Sequence, residues 1–437
     1  MELLIFCFAV ILEIALAIYC LITKHNHQKL RNWARIAIFA VFTTLTLTSI
    51  IMWSFRWVLL AILLFLPAAF SAVSLLRNKI TTKAYKSTRI VRKAIVMILT
   101  LMLALAPALV FPQYKPLKVT GEYKVATATY TYIDNNRIEE FNDTGKNRFV
   151  NVEFWYPEHG NGSFPLLVFS HGAYGIKSSN ASTFTELASH GYIVVSIDHP
   201  YHSFYTTSED GSTVMINKEF YQEVNNANKD GIYTVEQFYE LFQKWMKLRT
   251  DDMNFVINTI LQKTKSDPNP LYKQINTDKI GVFGHSMGGA ASIWLGRERG
   301  DVSAVVNIDA PMFSELNYDK KTNDLVASGQ PYTTPVLNIY SDDVWKQLDN
   351  GSAYAANKVA DYNFSEIYTI HFQGAKHLSL TDLPLFSPLL ANMLQGGTAD
   401  IDTHYCIETE NQIILNFFDY VLKGEGTFTP KATYGLK

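Results

Sequence analysis

The stretch Lys279-Ile280-Gly281-Val282-Phe283-Gly284-His285-Ser286-Met287-Gly288-Gly289 decides how the rest of the chain is read. A short apolar run gives way to one serine between glycines, and then to small residues, Gly288 to Ala291, that open a helix. A serine hydroxyl is a weak nucleophile unless it is held in the open beside a base. The Gly-x-Ser-x-Gly spacing meets the first condition: Gly284 and Gly288 lack Cβ atoms, so strand and helix can close tightly around the serine. The free N–H groups at the start of the helix are aimed where an oxyanion would form. Ser286 is therefore the candidate nucleophile and the Met287 N–H a candidate oxyanion donor.

Working outward, further apolar runs of strand length flank this segment: Leu166–Phe169, Tyr192–Ile197, Ala304–Ile308, Val336–Tyr340 and Ile367–Phe372, preceded by β-rich stretches at Thr127–Tyr132 and Phe149–Tyr156. Continuous apolar runs are expected of parallel strands buried on both faces. Helical patterns lie between them at about 180–190, 233–264, 288–297 and 409–423. Strands alternating with helices imply an α/β fold, a mostly parallel sheet with helices on both faces. Ligands in such sheets bind at the carboxyl ends of the strands. Polar residues fall just there: His171 and Gly172, Asp198 and His199, Ser286, Asp309, Asp342 and Asp343, and His377.

A serine nucleophile needs a base, and His377 sits in the loop Gln373-Gly374-Ala375-Lys376-His377 after the last of these strands. The chain order Ser…Asp…His is that of the α/β-hydrolase fold. The histidine in turn needs an orienting carboxylate. Asp309 and the pair Asp342 and Asp343 both end strands that follow the nucleophile helix, and spacing does not choose between them. The second oxyanion donor is expected in Ser170-His171-Gly172-Ala173-Tyr174-Gly175, at Ala173 N–H. Asp198-His199-Pro200-Tyr201-His202 places His199, Tyr201 and His202 at the pocket rim. The stretch 203–248, polar and rich in aromatics, reads either as a cap or lid insertion or as a long helix laying an aromatic stripe on the sheet. No metal or cofactor motif is present, since the eleven histidines show neither His-Glu-x-x-His nor Cys/His spacing.

Composition separates two unlike parts. Residues 1–112 are largely apolar, and 113–437 read as the α/β catalytic domain, with Pro112-Gln113-Tyr114-Lys115-Pro116 as a linker. Four apolar runs, about 3–22, 34–53, 57–76 and 94–112, approach the roughly 20 residues needed to span a bilayer, so four transmembrane helices are expected. The first run lacks a basic n-region and reads as an uncleaved span. Glu13, midway along it, reads as a neutral, hydrogen-bonded bundle contact. Lys24, Lys29, Arg31 and Arg35 follow the first run. Arg77, Lys79, Lys83, Lys86, Arg89, Arg92 and Lys93 follow the third. By the positive-inside rule these loops are cytoplasmic, which puts the C-terminal domain on the extracytoplasmic side of a cell membrane. The partners implied are a lipid bilayer and a small ester substrate. A net charge of −2 gives no reason to expect nucleic-acid binding. Three cysteines argue against a disulfide scaffold.

Over roughly 120–425 the chain resembles the platelet-activating-factor acetylhydrolase family. The resemblance rests on Phe169-Ser170-His171-Gly172, on Leu187-Ala188-Ser189-His190-Gly191-Tyr192-Ile193-Val194-Val195, on Gly284-His285-Ser286-Met287-Gly288-Gly289 and on Ile308-Asp309-Ala310. The C-terminal Asn411-Gln412, Phe417-Phe418-Asp419 and Leu422-Lys423-Gly424 add to it. It implies Asp309 as the acid, supports Ser286, His377 and the Ala173 and Met287 amides, and implies metal-free hydrolysis of short or oxidised phospholipid acyl chains. The chain departs from animal members at Ala310-Pro311, where they tend to have Ala-Trp, and in carrying Ser341-Asp342-Asp343. The expected function is a membrane-anchored serine carboxylic-ester hydrolase working through an acyl-enzyme. Alternatives are an acyltransferase using the same residues and a membrane sensor with a vestigial hydrolase domain.

Overall fold

A computed structural model describes residues 2–77, 85–114, 116–160, 162–349 and 352–435. The chain divides into two compact units, residues 1–115 with 386–390, and 116–385 with 391–437.

The described residues of the first unit include the long helices α1 (Glu2–Thr23), α2 (Gln28–Leu47), α3 (Val58–Leu76) and α4 (Ser87–Val110). Among the described residues, two helical stretches are long and apolar enough to cross a membrane, Phe55–Leu76 and Ser87–Val110, with mean hydropathies of 2.5 and 2.3. The expectation of four spans is thus met in two cases. The first expected span falls on α1, whose side chains are described only from Cys7 onward, so its residues 2–6 lie outside the part tested for apolar length. The second helix starts before its apolar run and ends earlier, at Leu47, so Lys29, Arg31 and Arg35 lie within it and shorten its apolar part. Likewise Arg89, Arg92 and Lys93 belong to the first turns of α4. Lys79 and Lys83 lie outside the described residues.

The second unit is built on a nine-stranded sheet. Its strands are β1 (Val125–Ile138), β2 (Asn147–Pro157), β3 (Phe164–Ser170), β4 (Ile193–Asp198), β5 (Ile275–His285), β6 (Val302–Ile308), β7 (Val336–Ser341), β8 (Ile367–Phe372) and β9 (Thr433–Tyr434). Their spatial order is β1-β2-β4-β3-β5-β6-β7-β8-β9. The pairings of β1 with β2 and of β2 with β4 are antiparallel, and the rest are parallel. Every residue of β3 is buried, and its alternate side chains enter two cores. Leu166 and Val168 join Ile280 and Val282 on one face, while Leu167 and Phe169 join Phe283 on the other. Period-two alternation therefore survives in the packing although both faces are apolar.

Helices close both faces. On one lie α7 (Val235–Ser266) and α8 (Met287–Glu298); on the other lie α5 (Ala181–Ser189) and α9 (Thr403–Phe418), with α6 (Lys218–Ala227) between α5 and α7 in sequence. Thr234 starts α7 with a capping box to Gln237. Its buried stripe is Phe242, Trp245, Met246, Met253, Val256, Ile257 and Ile260, interrupted by fully buried Arg249 and Asp252. Within 203–248, the part from Val235 on is thus the body of a core helix. The remainder is a small hairpin, Tyr205–Thr207 with Thr213–Met215, followed by α6.

Candidate active site

The parallel strands β3, β5, β6, β7 and β8 each lead, at one edge of the sheet, into a segment that carries candidate site residues. β5 turns into α8 at Ser286, whose backbone sits at φ 53° and ψ −126°. A positive φ costs a non-glycine residue about 1–3 kcal/mol and persists only where the surroundings over-determine it. Here the Ser286 N–H is held by Ile308 O at 2.8 Å, and its carbonyl accepts from Ala290 N at 3.1 Å. The flanking glycines are required by contact. A Cβ on Gly288 would overlap the Ser170 carbonyl, and one on Gly284 would overlap the backbone of Gly288. Gly288→Ala should therefore lower stability by about 3 kcal/mol or prevent folding, because backbone rather than a mobile side chain must give way. Urea unfolding reads this, and an unchanged midpoint would contradict the close approach.

The end of β6 carries Asp309, fully buried and at φ 57°. Its carboxylate accepts from Ser341 N at 2.7 Å, from Ser341 Oγ at 2.7 Å and from His377 Nδ1 at 2.6 Å. A carboxylate on Nδ1 sets the imidazole tautomer and leaves Nε2 as the proton acceptor. The His377 side chain is 32% exposed, so that nitrogen can meet a substrate from solvent. Ser286 Oγ makes no hydrogen bond to any described residue. The serine and histidine segments are tied instead through His285. Burial holds its imidazole neutral, Nε2–H donates to the His377 carbonyl at 3.0 Å, and the two rings lie 4.5 Å apart.

Asp342 and Asp343 are placed elsewhere. Asp342 accepts from His371 Nε2 at 2.6 Å and from Gly374 N at 3.1 Å, and Trp345 stacks on the His371 ring. Asp343 accepts from the His377 backbone N–H at 3.2 Å. Both brace the loop that presents His377, and neither takes its ring. The nitrogen and oxygen atoms of His285, Asp309 and His377 lie within 4.8 Å of one another, a spacing open to a cation, but each is engaged with its protein partner as described.

The loop after β3 runs beside Ser286. A Cβ on Gly172 would lie 3.2 Å from Ser286 Cβ. Ala173 N–H donates to no described residue, and Met287, first in its helix, has no intrahelical acceptor for its own N–H. The expected rim residues lie deeper than expected. His199 is fully buried, with Nδ1–H on Asp252 at 3.0 Å and Nε2 accepting from Ser170 Oγ at 2.9 Å. Burial pushes its pKa down to about 4, so it is neutral at physiological pH. His202 is buried and stacked 3.6 Å from Phe220, and Tyr201 accepts from Asn142 Nδ2 at 2.6 Å. The segment leading into the 205–215 hairpin and α6 meet the loop after β3 through Phe204 N to Gly175 O, 3.0 Å, and Tyr174 Oη to Tyr221 O, 3.1 Å.

Three groups escaped the sequence reading: Ser341 as the support of Asp309, His285 as a brace, and Arg249 beneath the loop after β3. Arg249 and Asp252 did leave a trace, since two charges three residues apart break the apolar period of α7.

Comparison with known proteins shows what the chain is similar to. Residues 146–429 match a family profile described as platelet-activating factor acetylhydrolase, isoform II. A platelet-activating factor acetylhydrolase from Bos taurus is 24% identical over 267 residues, 58% of this chain and 56% of that protein. A probable 1-alkyl-2-acetylglycerophosphocholine esterase from Arthroderma benhamiae is 27% identical over 196 residues, 44% of this chain and 43% of that one. The chain thus spans about half the length of the curated relatives it matches. A ferulic acid esterase from Streptomyces cinnamoneus superposes with a TM-score of 0.56 at 17% identity, covering 72% of this chain and 96% of that one, and shares its fold.

Proposed function

The chain belongs to the platelet-activating factor acetylhydrolase, isoform II, family, and from that premise we propose that it is a serine ester hydrolase acting on short-chain or phospholipid acyl esters. The observation that carries this reading is the 2.6 Å pair of Asp309 and His377 at the strand edge that also presents the strained Ser286. Ser286 Oγ attacks the ester carbonyl and passes its proton to His377 Nε2. The Ala173 and Met287 N–H groups hold the oxyanion. Collapse of the tetrahedral intermediate expels the alcohol, which takes the proton from His377, and leaves the acyl-enzyme. Water, deprotonated by His377, then releases the carboxylic acid, while Asp309 steadies the imidazolium in both steps.

The enzyme is membrane-anchored in this reading. The large apolar side chains of the two spanning-length helices are often exposed, Phe70 at 74% and Leu103 at 70%, as lipid-facing residues are and soluble core residues are not. We extend the proposal to four spans, α1 and α2 included, and to an extracytoplasmic catalytic unit. The cations between α3 and α4 support that orientation.

The test is an ester series, p-nitrophenyl acetate to palmitate, with the full chain in detergent and Ser286→Ala beside it. Serine-dependent turnover falling steeply with chain length is the expected result. A rise toward palmitate would redirect the reading to a lipase, and no turnover across the series would overturn ester hydrolysis.

A further inference from the structure

The oxyanion loop rests on a buried cation. Arg249, fully buried on α7, donates from Nη1 to the His171 carbonyl and to Ser170 Oγ, 3.3 Å, and from Nη2 to the Gly172 carbonyl, 3.2 Å. Burial lowers its pKa to about 9, opposed by nearby Asp252, so it is charged at neutral pH. Among the described residues no carboxylate pairs with it directly, and its guanidinium meets two successive backbone carbonyls. Behind it the cluster is balanced. Asp252 is paired with Arg148 and Arg137, and Arg148 with Glu139. Burial would raise Asp252, but Arg148 and His199 override it and hold the carboxylate far below the usual range.

The Gly172 carbonyl also accepts from His171 Nδ1 at 2.6 Å and from Gly175 N at 3.1 Å, three donors in all. That carbonyl and the Ala173 N–H belong to one planar trans peptide and point in opposite directions. Fixing the oxygen against the guanidinium turns the N–H away from it, and that N–H has no acceptor among the described residues. A cation on the carbonyl also polarises the peptide and makes its N–H a stronger donor. Resting on the ester-hydrolase reading above, we propose that Arg249 is a positioning residue that orients and polarises the Gly172–Ala173 peptide as one half of the oxyanion hole.

The role acts on the transition state and leaves substrate binding alone. Loss of an oxyanion donor outright costs about 100- to 1,000-fold in kcat, so loosening one through Arg249→Met should cost about 10- to 100-fold with KM nearly unchanged. Affinity for a trifluoromethyl ketone, which forms an oxyanion adduct on the serine, should fall in parallel. Arg249→Lys, keeping the charge but not the forked contact, should lie between wild type and Arg249→Met. These values are measured on the full chain in detergent, with thermal unfolding alongside. A folded variant with wild-type kcat and wild-type ketone affinity overturns the proposal, as does a change confined to KM. Failure of both variants to fold also counts against it and assigns Arg249 to the scaffold. Ser286→Ala separates the two levels: its retained activity would sink the hydrolase reading. An inactive Ser286→Ala beside fully active Arg249 variants would sink this inference alone.

Discussion

Ser286→Ala should abolish turnover, with kcat falling by about 10⁴- to 10⁶-fold while the protein stays folded. In the proposed mechanism no acyl-enzyme forms without Oγ, and the Ala173 and Met287 amides can only polarise a carbonyl for slow attack by water. The fold has little reason to notice the change, because the hydroxyl makes no hydrogen bond to any described residue and the turn is held by its backbone through Ile308 O and Ala290 N. Alanine inherits the positive φ of 53° and its strain. Glycine does not, so Ser286→Gly should be inactive yet equal or better in stability, by about 1 kcal/mol. Hydrolysis of p-nitrophenyl acetate, labelling by a fluorophosphonate and thermal unfolding of the three proteins check this. Turnover that survives in Ser286→Ala would remove the serine from the chemistry altogether.

The sheet was legible because buried parallel strands must be apolar throughout: β3, β4, β6, β7 and β8 all coincide within a residue or two with the runs read from sequence. The nucleophile turn was legible because close backbone approach admits only glycine at Gly284 and Gly288. Other features carry no such constraint. β9 is two residues, Thr433 and Tyr434, defined by pairing with His371 and Phe372 and not by any pattern of its own. Average hydropathy placed the second apolar run at 34–53, whereas backbone hydrogen bonding continues the helix back through Arg35 and Arg31 to Gln28. Distant partners were invisible as well. Nothing local to Arg249 tells that it meets carbonyls of residues 171 and 172, and nothing local to Ser341 tells that it donates twice to Asp309.

The choice of acid is the sharpest case. Asp309 and Asp342 end neighbouring strands that pair in register, Ile308 opposite Ile339, so strand order and spacing put both within reach of one loop. Side-chain donors separate them: Ser341 fixes both oxygens of Asp309, and Oδ2 takes the His377 ring, while Asp342 is committed to His371 and Gly374. Asp309→Asn should therefore cost about 10⁴-fold in kcat with little change in KM. The amide still accepts from Ser341 through its oxygen, but its NH₂ faces His377 Nδ1 and stabilises the tautomer that keeps the proton on Nε2. That nitrogen can then no longer take the proton from Ser286. Asp342→Asn loosens the loop without touching the ring, and a loss of about tenfold or less is expected, because the asparagine oxygen can still accept from Gly374 N or His371 Nε2. Parallel kcat and KM measurements on the two variants decide the matter. A near-normal Asp309→Asn beside a crippled Asp342→Asn or Asp343→Asn would move the acid to the end of β7. It would also mean that the His377 loop rearranges before catalysis, since in this structure neither of those carboxylates reaches its ring.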